Sequence, residues 1–333
     1  MTPREIPGLL LCALLATTLA PPGAAQPAPS AEADPLPELE TFVVTGEQPG
    51  PALWKVTRKE HTLWILPTFG PLPDQLEWQS GQVEEVIRQS QQVFALSRIP
   101  LERPTDPKSQ QRLWKAVTNP DGKRLRDVMP PDLYRQFSEL NRRYAGNSAV
   151  FELFRPYQAT DMLKDSAMAR LSLASEGGVH DTVLRLARQY GVRFMAFENS
   201  DRHAWDKLVS QLEKTPREAD LACVKARLDR LESDLREAIN RSNAWARGDI
   251  AALRKDPGLH ADAADLGVCR QFFQHMRYVR QAVVAQRRIS HAEYLQALKK
   301  NQSTLILVPI DEMFDPNGLI AGFRKAGYQV EEP

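Results

Sequence analysis

The feature that most constrains the fold is the position of the strand-like segments, which lie near both ends of the chain on either side of a long helical block. Near the start, "ALWKV" and "TLWIL" flank the polar segment "TRKEH", and this pattern predicts a β-hairpin. Near the end, "TLILV" and "YQV" predict two more strands, with a helix from Pro316 to Lys325 between them and Asp315 as its N-cap. We therefore expect the two ends of the chain to build one core.

The segments that follow the hairpin alternate between helix and strand. "SGQVEEVIRQSQQ" predicts a helix that begins after Ser80, and Val93–Leu96 predicts a short buried strand. Residues 107–175 are mainly helical by the spacing of their apolar positions. "VHDTVLRLARQYG" predicts a helix that Gly191 ends, and Val192–Glu198 predicts another strand. This order is typical of an α/β unit.

Residues of about 200–300 are almost wholly helical and read as an insertion into that unit. Apolar positions there alternate steps of three and four, which predicts a helix that pairs with another helix. Its partner is either the later segment "VCRQFFQHMRYVRQAVV", in a helical hairpin, or a second copy of the chain. The apolar positions are Leu221, Val224, Leu228, Leu231 and Leu235. The predicted class is α/β (α+β): a mixed sheet from the N- and C-terminal parts, flanked by helices, with a large helical insertion.

The N-terminus has the pattern of a secretory signal peptide. Arg4 precedes the compact apolar run Leu9–Ala20, and small residues then allow cleavage after Ala25. An N-terminal membrane anchor is the alternative. We expect a signal peptide at 1–25, a lead-in at 26–50 that is rich in Pro, Ala, Glu and Gly, and a folded domain at 51–333. The mature protein is then periplasmic or secreted.

The charge balance limits the classes of partner. The sequence has 43 basic and 42 acidic side chains and a net charge of +1, which gives no electrostatic reason to expect nucleic acid or an anionic membrane. No segment after the N-terminus is apolar enough for a transmembrane helix. We expect a peptide or protein partner whose identity the sequence does not give, and the oligomeric state stays open.

Two cysteines remain once Cys12 leaves with the signal peptide. Cys223 and Cys269 are a candidate disulfide in an oxidising compartment, or else two buried unpaired thiols. They are too few to build a structural zinc site of the usual cysteine-rich kind.

Common catalytic motifs are absent from the sequence, which has no G-x-S-x-G, H-E-x-x-H, Walker or dinucleotide-binding pattern. No two of its six histidines lie three or four residues apart, so no helical pair of metal-binding histidines exists. Glu198, Asp311 and Glu312 follow predicted strand ends, where catalytic acids often lie, and they are our candidate catalytic residues, with a structural role as the alternative. His61, at the predicted hairpin turn, is a further candidate.

Two segments resemble the motifs of a known family. "ALWKVTRKEHTLWILPTFGPLP" resembles the start of the TraB/GumN family, which includes the Tiki-type membrane proteases and typically has L-Y-L-L-G-T-x-H-x-L-P here. "LVPIDEMFDPNGLIAGFRKAGYQV" resembles its C-terminal motif, V-G-x-x-H-L-x-G-x-x-G-L followed by a helix and G-Y-x-V. The resemblance covers about 50–333 and also includes "GVHDTVLRLARQYGVRFMAFENS".

The motif residues themselves are replaced in this chain. The histidine of the first motif matches Gly70, and its glycine matches Pro67. In the second motif the histidine matches Glu312 and the glycine matches Pro309. A family glutamate that ends the strand after the first helix matches Ala95. Glycine and alanine side chains offer no atom that binds a cation.

The resemblance implies a divalent-metal hydrolase, but the replacements imply that this member is catalytically silent. We therefore expect an exported binding or scaffolding protein with no metal site and no cofactor. Its crevice at the strand ends would be lined by Trp64, Phe69 and Gly70, next to the acidic candidates. Glu198 matches the acidic residue that ends the later strand in the family.

Two other functions stay open, and with them whether the protein is an enzyme. Glu198, Asp311 and Glu312 are a candidate relocated site for a metal-dependent hydrolase or peptidase that uses Ca²⁺, Mg²⁺ or Mn²⁺, or an acid/base pair. This hypothesis requires the carboxylates of Glu198 and Glu312 to converge. The other alternative is that the helical surface of residues 200–300 binds a protein partner.

Overall fold

The computed structural model describes residues 50–73, 76, 78–95, 106–174, 177–195, 204–259, 269 and 277–333. The predicted signal peptide, and the lead-in up to residue 49, lie outside the described residues, as does Glu198. Among the described residues, no helix combines the length and the apolar character that a membrane crossing requires.

The core is a six-stranded mixed sheet with the order β6–β4–β7–β2–β1–β8. The strands β2, β7, β4 and β6 run parallel, and β1 pairs antiparallel with both β2 and β8. The prediction that both ends of the chain share one core is confirmed, because the C-terminal strands pair directly with the N-terminal hairpin. The strands are β1 (Trp54–Arg58), β2 (His61–Thr68), β4 (Gln92–Phe94), β6 (Arg193–Met195), β7 (Ser303–Pro309) and β8 (Gln329–Glu331), with β3 (Leu72–Pro73) and β5 (Leu173–Ala174) in a separate two-stranded sheet.

The hairpin turn is shorter than the sequence indicated. Arg58 pairs with His61, so only Lys59 and Glu60 form the turn. Lys59 has a φ of 57°, the left-handed conformation that tight two-residue hairpins require. His61 is therefore the first residue of β2 and not part of the turn.

Twelve α-helices are present among the described residues, and they confirm a mixed α/β class. They are α1 (Gly81–Gln89), α2 (Pro107–Val117), α3 (Leu125–Val128), α4 (Pro131–Ala145), α5 (Pro156–Arg170), α6 (Gly177–Gln189), α7 (Ala204–Glu213), α8 (Arg217–Ala246), α9 (Ile250–Lys255), α10 (Arg277–Lys300), α11 (Ile310–Phe314) and α12 (Leu319–Lys325). Short 3₁₀ helices lie at Pro120–Gly122, Ala149–Leu153 and Pro257–Leu259.

Both faces of the sheet are covered, because side chains alternate along each strand. Leu305 and Leu307 point to a first face, where they pack with apolar residues of α1 and α6. Ile306 and Val308 point to a second face, where they pack with Tyr294 of α10 and with α12. This arrangement explains why β7 is a continuous apolar run in the sequence.

The apolar positions of α8 pack inside the chain. Val224, Leu228, Leu231 and Leu235 are buried in one cluster with residues of α4 and α5. This apolar stripe of α8 is thus covered by helices that precede it in the chain, and it is not left open for a second copy of the chain. Of the predicted second arm, residues 268–284, positions 268 and 270–276 lie outside the described residues, and 277–284 form the start of α10.

Cys223 and Cys269 form a disulfide that closes a sequence separation of 46 residues. Both cysteines are buried. The structure therefore has the bond that the sequence left open, and it ties α8 to the segment before α10.

The C-terminal helix begins later than the sequence indicated. Asp315 ends α11 instead of capping the next helix, and α12 begins at Leu319. The carboxylate Oδ1 of Asp315 accepts from the Asn317 N–H at 2.8 Å, which forms a local turn. Gly318 then passes so close to the Glu312 carbonyl oxygen that a Cβ would lie 2.3 Å from it. This close approach excludes a helix that runs continuously from Pro316.

Candidate functional site

The two motif-like segments lie side by side at the carboxyl ends of β2 and β7. In the parallel register, Pro67 is opposite Val308 and Thr68 is opposite Pro309. The prolines at the two motif-glycine positions are therefore offset by one residue on neighbouring strands. The Pro67 carbonyl accepts a hydrogen bond from the buried indole Nε1 of Trp245 at 2.7 Å. The Trp245 side chain therefore covers this end of β2 on the first face of the sheet.

Glu312 lies at the centre of a charged network on the second face. Helix α11 begins directly after β7, so that Asp311 and Glu312 occupy its first turn beside α10. Glu312 is buried, and its Oε1 lies 2.9 Å from Arg287 Nε while its Oε2 lies 3.2 Å from His291 Nε2. The Nη2 of Arg287 also donates to Asp311 Oδ2 at 2.9 Å. We call Arg287, His291, Asp311 and Glu312 the Arg287–Glu312 network.

The sequence analysis missed the partners that α10 supplies. Arg287 and His291 are four residues apart, so they lie one turn from each other on the same side of the helix. Next to them, Gln286, Ser290 and Tyr294 are also spaced by four and are buried. The signal in the sequence was this run of polar residues on a helix face that should otherwise be apolar.

Tyr294 lies beside the network and packs edge-on against Phe94 of β4, with ring centroids 5.4 Å apart. Burial, reinforced by the Glu312 carboxylate, raises the pKa of the Tyr294 phenol. The Ser290 hydroxyl opposes this rise because its hydrogen bond favours the ionised form. Tyr294 is therefore held as a neutral phenol next to a buried carboxylate.

Gln286 is a buried polar side chain without a hydrogen bond to the part of the chain that the structure describes. It is 3% exposed, and neither its Nε2 nor its Oε1 has a hydrogen-bond partner among those residues. A buried polar group left unpaired costs about 1–3 kcal/mol, so such groups are rare unless they have a role. Gln286 directly precedes Arg287 in α10.

The predicted crevice residues are divided between the two faces of the sheet. Trp64 and Phe69 pack with the cluster on the first face, whereas the Arg287–Glu312 network lies against α10 on the second face. Trp64 also stacks with Lys55, whose Nζ is 5.7 Å from the ring centroid. Gly70 follows β2 and precedes Pro71 through a cis peptide bond. Asp311 and Glu312 thus lie in one network, whereas Trp64 and Phe69 pack on the other face, and a crevice shared by all of these residues stays a prediction.

The other positions singled out from the sequence lie elsewhere. Ala95, at the position of the family glutamate, is 3% exposed, and its N–H donates to the Met195 carbonyl at 2.8 Å. His61 lies at the amino end of β2, where its Nδ1 is 2.7 Å from the Asn301 carbonyl oxygen. This is the end of the strand opposite to Gly70. Because Glu198 lies outside the described residues, its convergence with Glu312 stays a prediction.

The network fits internal charge pairing better than cation binding. Within the described part of the chain, no group of three or more His, Cys, Asp or Glu side chains is placed to hold a metal ion. Both oxygens of Glu312 already contact nitrogen donors, and Asp311 contacts the same guanidinium. Chemically, the arrangement anchors α10 to the end of β7 and presents one half-buried imidazole.

Comparison with known proteins agrees with the motifs. The family model for the TraB/PrgY/gumN family matches residues 52–332, which is most of the chain. No curated protein and no solved structure matches the sequence.

Proposed function

The chain belongs to the TraB/PrgY/gumN family, and we propose that it is a catalytically silent member that acts as an exported binding or scaffolding protein. One observation carries this proposal: both carboxylate oxygens of Glu312 are paired, with Arg287 and with His291. Glu312 is the only one of the three matched ligand positions whose side chain has a metal-binding atom, since the others are Gly70 and Ala95.

The pairing opposes metal binding for an electrostatic reason. A divalent cation at Glu312 would lie next to the guanidinium of Arg287, which is always charged. Binding would also break hydrogen bonds to charged groups, each worth about 1.5–3 kcal/mol. In this chain the guanidinium takes the place that a cation would have beside the carboxylates.

The export part of the proposal is supported by the disulfide. Disulfides persist in oxidising compartments and are rare in the reducing cytosol. The Cys223–Cys269 bond is buried, and it joins α8 to a segment 46 residues away. A protein with such a buried disulfide is suited to the periplasm or to secretion.

The test is metal analysis and a general peptidase assay on the purified mature protein, with Glu312→Gln and Glu293→Gln as a matched pair. Glu293 is an exposed residue of the same helix as Arg287. We expect no stoichiometric metal, no peptide cleavage and no difference between the two variants. Bound metal or cleavage that is lost in Glu312→Gln and kept in Glu293→Gln would overturn the proposal.

The pair formed by His291 and Glu312 favours a second function, metal-independent acid/base hydrolysis. A carboxylate that contacts one imidazole nitrogen fixes the orientation of the ring and leaves the other nitrogen to exchange a proton. The His291 side chain is 33% exposed, so a substrate can reach it. His180 is a matched control, since it is 28% exposed and lies 3.3 Å from Asp181. This function requires hydrolysis that His291→Ala abolishes and His180→Ala does not.

A further inference from the structure

A cavity of about 370 Å³ opens in the helical part of the chain, away from the strand ends. It lies where the end of α2 and the segment after it meet the start of α5 and the connection between α7 and α8. The volume is within the range of small-molecule sites. Its polar lining includes the basic residues Lys115, Lys123 and Arg155 and the acidic residues Glu213 and Asp220.

The acidic residues of this cavity already have cationic or hydrogen-bonding partners. The carboxylate of Glu213 is bound by Arg112, with Nη2 at 2.9 Å from Oε2 and Nε at 3.1 Å from Oε1. This guanidinium lowers the pKa of Glu213. The carboxylate of Asp220 accepts from the Tyr157 N–H at 2.8 Å and lies 3.5 Å from Arg155 Nη2. Neither acid is left to balance a further cation.

Within the described residues, the lysines of the cavity have no such partners. Lys115 and Lys123 are exposed, and neither forms an ion pair with a carboxylate of the described residues. Three basic and two acidic side chains line the cavity. Arg112, next to Glu213, adds a positive charge that Asp206 balances at 3.6 Å from its Nη1. One net positive charge thus remains at this concave surface, which attracts an anion.

The chemistry of the cationic groups in the cavity decides which class of anion fits it. Arg155 Nη1 donates to the Leu212 carbonyl at 2.8 Å, and its Nη2 donates to the Thr215 carbonyl at 3.3 Å. Because both terminal nitrogens bind the backbone, the guanidinium is not placed for a bidentate contact with a ligand carboxylate. The lysine ammonium groups are compact point charges, which suit the dianionic and nearly spherical phosphate group.

Hydroxyl groups on the cavity wall indicate the rest of the ligand. The Thr118 hydroxyl donates to the Trp114 carbonyl at 2.7 Å, and the Thr215 hydroxyl donates to the Gln211 carbonyl at 3.0 Å. Each hydroxyl hydrogen is therefore used, while the oxygen still has lone pairs that accept from a ligand. A ligand with O–H donors complements these two walls.

From these observations we propose that the cavity binds a small polyhydroxylated phosphomonoester, with Lys115 and Lys123 holding its phosphate and Thr118 and Thr215 accepting from its hydroxyl groups. This site is separate from the Arg287–Glu312 network, and the inference does not rest on the proposed function. It gives the helical part of the chain a small-molecule role in place of a protein-binding surface.

The test is isothermal titration calorimetry of the mature protein with glycerol 3-phosphate, glycerol, inorganic phosphate and acetate as separate probes. We expect saturable one-to-one binding of glycerol 3-phosphate, weaker binding of inorganic phosphate and none of glycerol or acetate. The double variant Lys115→Ala/Lys123→Ala should weaken glycerol 3-phosphate binding at least tenfold. Lys299→Ala/Lys300→Ala removes the same charge at the end of α10 and should leave the affinity unchanged.

Several results would overturn the proposal. These are no heat with either phosphate probe, acetate binding as tight as glycerol 3-phosphate binding, or an equal loss of affinity in both double variants. Urea unfolding of each variant separates loss of the site from loss of the fold, since two exposed lysines should change the stability by less than about 0.5 kcal/mol.

Discussion

Arg287 and Glu312 join the middle of α10 to the end of β7, with Arg287 Nε 2.9 Å from Glu312 Oε1. The two side chains differ in their environment, since the Glu312 side chain is 9% exposed and that of Arg287 is 37% exposed. A buried carboxylate that loses a charged partner is destabilised by desolvation. We therefore expect this ion pair to stabilise the fold, and it is also the centre of the candidate site.

Replacing Arg287 should destabilise the protein. Arg287→Met keeps an unbranched apolar stem but leaves Glu312 with His291 as its one charged or hydrogen-bonding partner within the described part of the chain. We expect the free energy of unfolding to fall by about 1–3 kcal/mol, less than for a fully buried pair because water already screens Arg287. Urea denaturation measures the change. Arg288→Met, on the exposed side of the same turn, is the control, and an equal loss in both variants would contradict the assignment.

Replacing Gln286 should have the opposite effect. Gln286→Leu removes a buried amide that has no hydrogen-bond partner among the described residues and puts an apolar side chain of similar size in its place. We expect stability to rise by about 1 kcal/mol, because the penalty of an unpaired buried group disappears. Thermal unfolding measures the gain, with the exposed Gln281→Leu as control. A loss of stability in Gln286→Leu would show that this amide is bonded in solution.

The disulfide should contribute strongly to stability. The bond closes a separation of 46 residues, for which the chain-entropy model gives about 4 kcal/mol. We expect Cys223→Ala/Cys269→Ala to lose roughly this amount in urea unfolding and reduction of the wild-type protein to lose a similar amount. Adding reductant to the double variant should change nothing further. Oxidised protein no more stable than the double variant would rule out this contribution.

Stability should fall at alkaline pH partly through Tyr294. Its pKa is raised in the folded protein by burial and by Glu312, while the pKa of an unfolded tyrosine is about 10. The unfolded chain therefore releases this proton first, so the stability it confers is complete below pH of about 10 and is lost as the pH rises above it. Tyr294→Phe should flatten the decline in unfolding free energy above pH of about 10. Parallel pH profiles for the two proteins would refute this role.

Local sequence patterns were sufficient to predict the elements of the sheet. "ALWKV", "TLWIL" and "TLILV" are apolar segments of strand length, and the structure has β1, β2 and β7 at these places. The parallel pairing that places Thr68 opposite Pro309 was not predicted and is a finding of the structure. The strand signals are local, since they depend on residues that lie within one element.

The predicted N-cap of the last helix was wrong, because the start of this helix depends on a contact with the preceding helix α11. Asp315 and Pro316 form a typical helix start, yet Gly318 packs against the Glu312 carbonyl, and α12 begins only at Leu319. The helices that pack against the apolar stripe of α8 were not predicted for a similar reason. An apolar stripe shows that a helix packs, but the complementary surfaces of α4 and α5 decide where it packs.

By itself, the sequence determined the class of the fold, the strands of its core and the absence of imidazoles at the motif positions, because each follows from residue type and short-range periodicity. Only the tertiary structure decided what surrounds Glu312. In the chain, His291 is 21 residues from Glu312, and Arg287 is 24 residues from Asp311. They reach the network because α10 packs across the sheet. Electrostatic pairing depends on distance in space, which chain spacing does not encode.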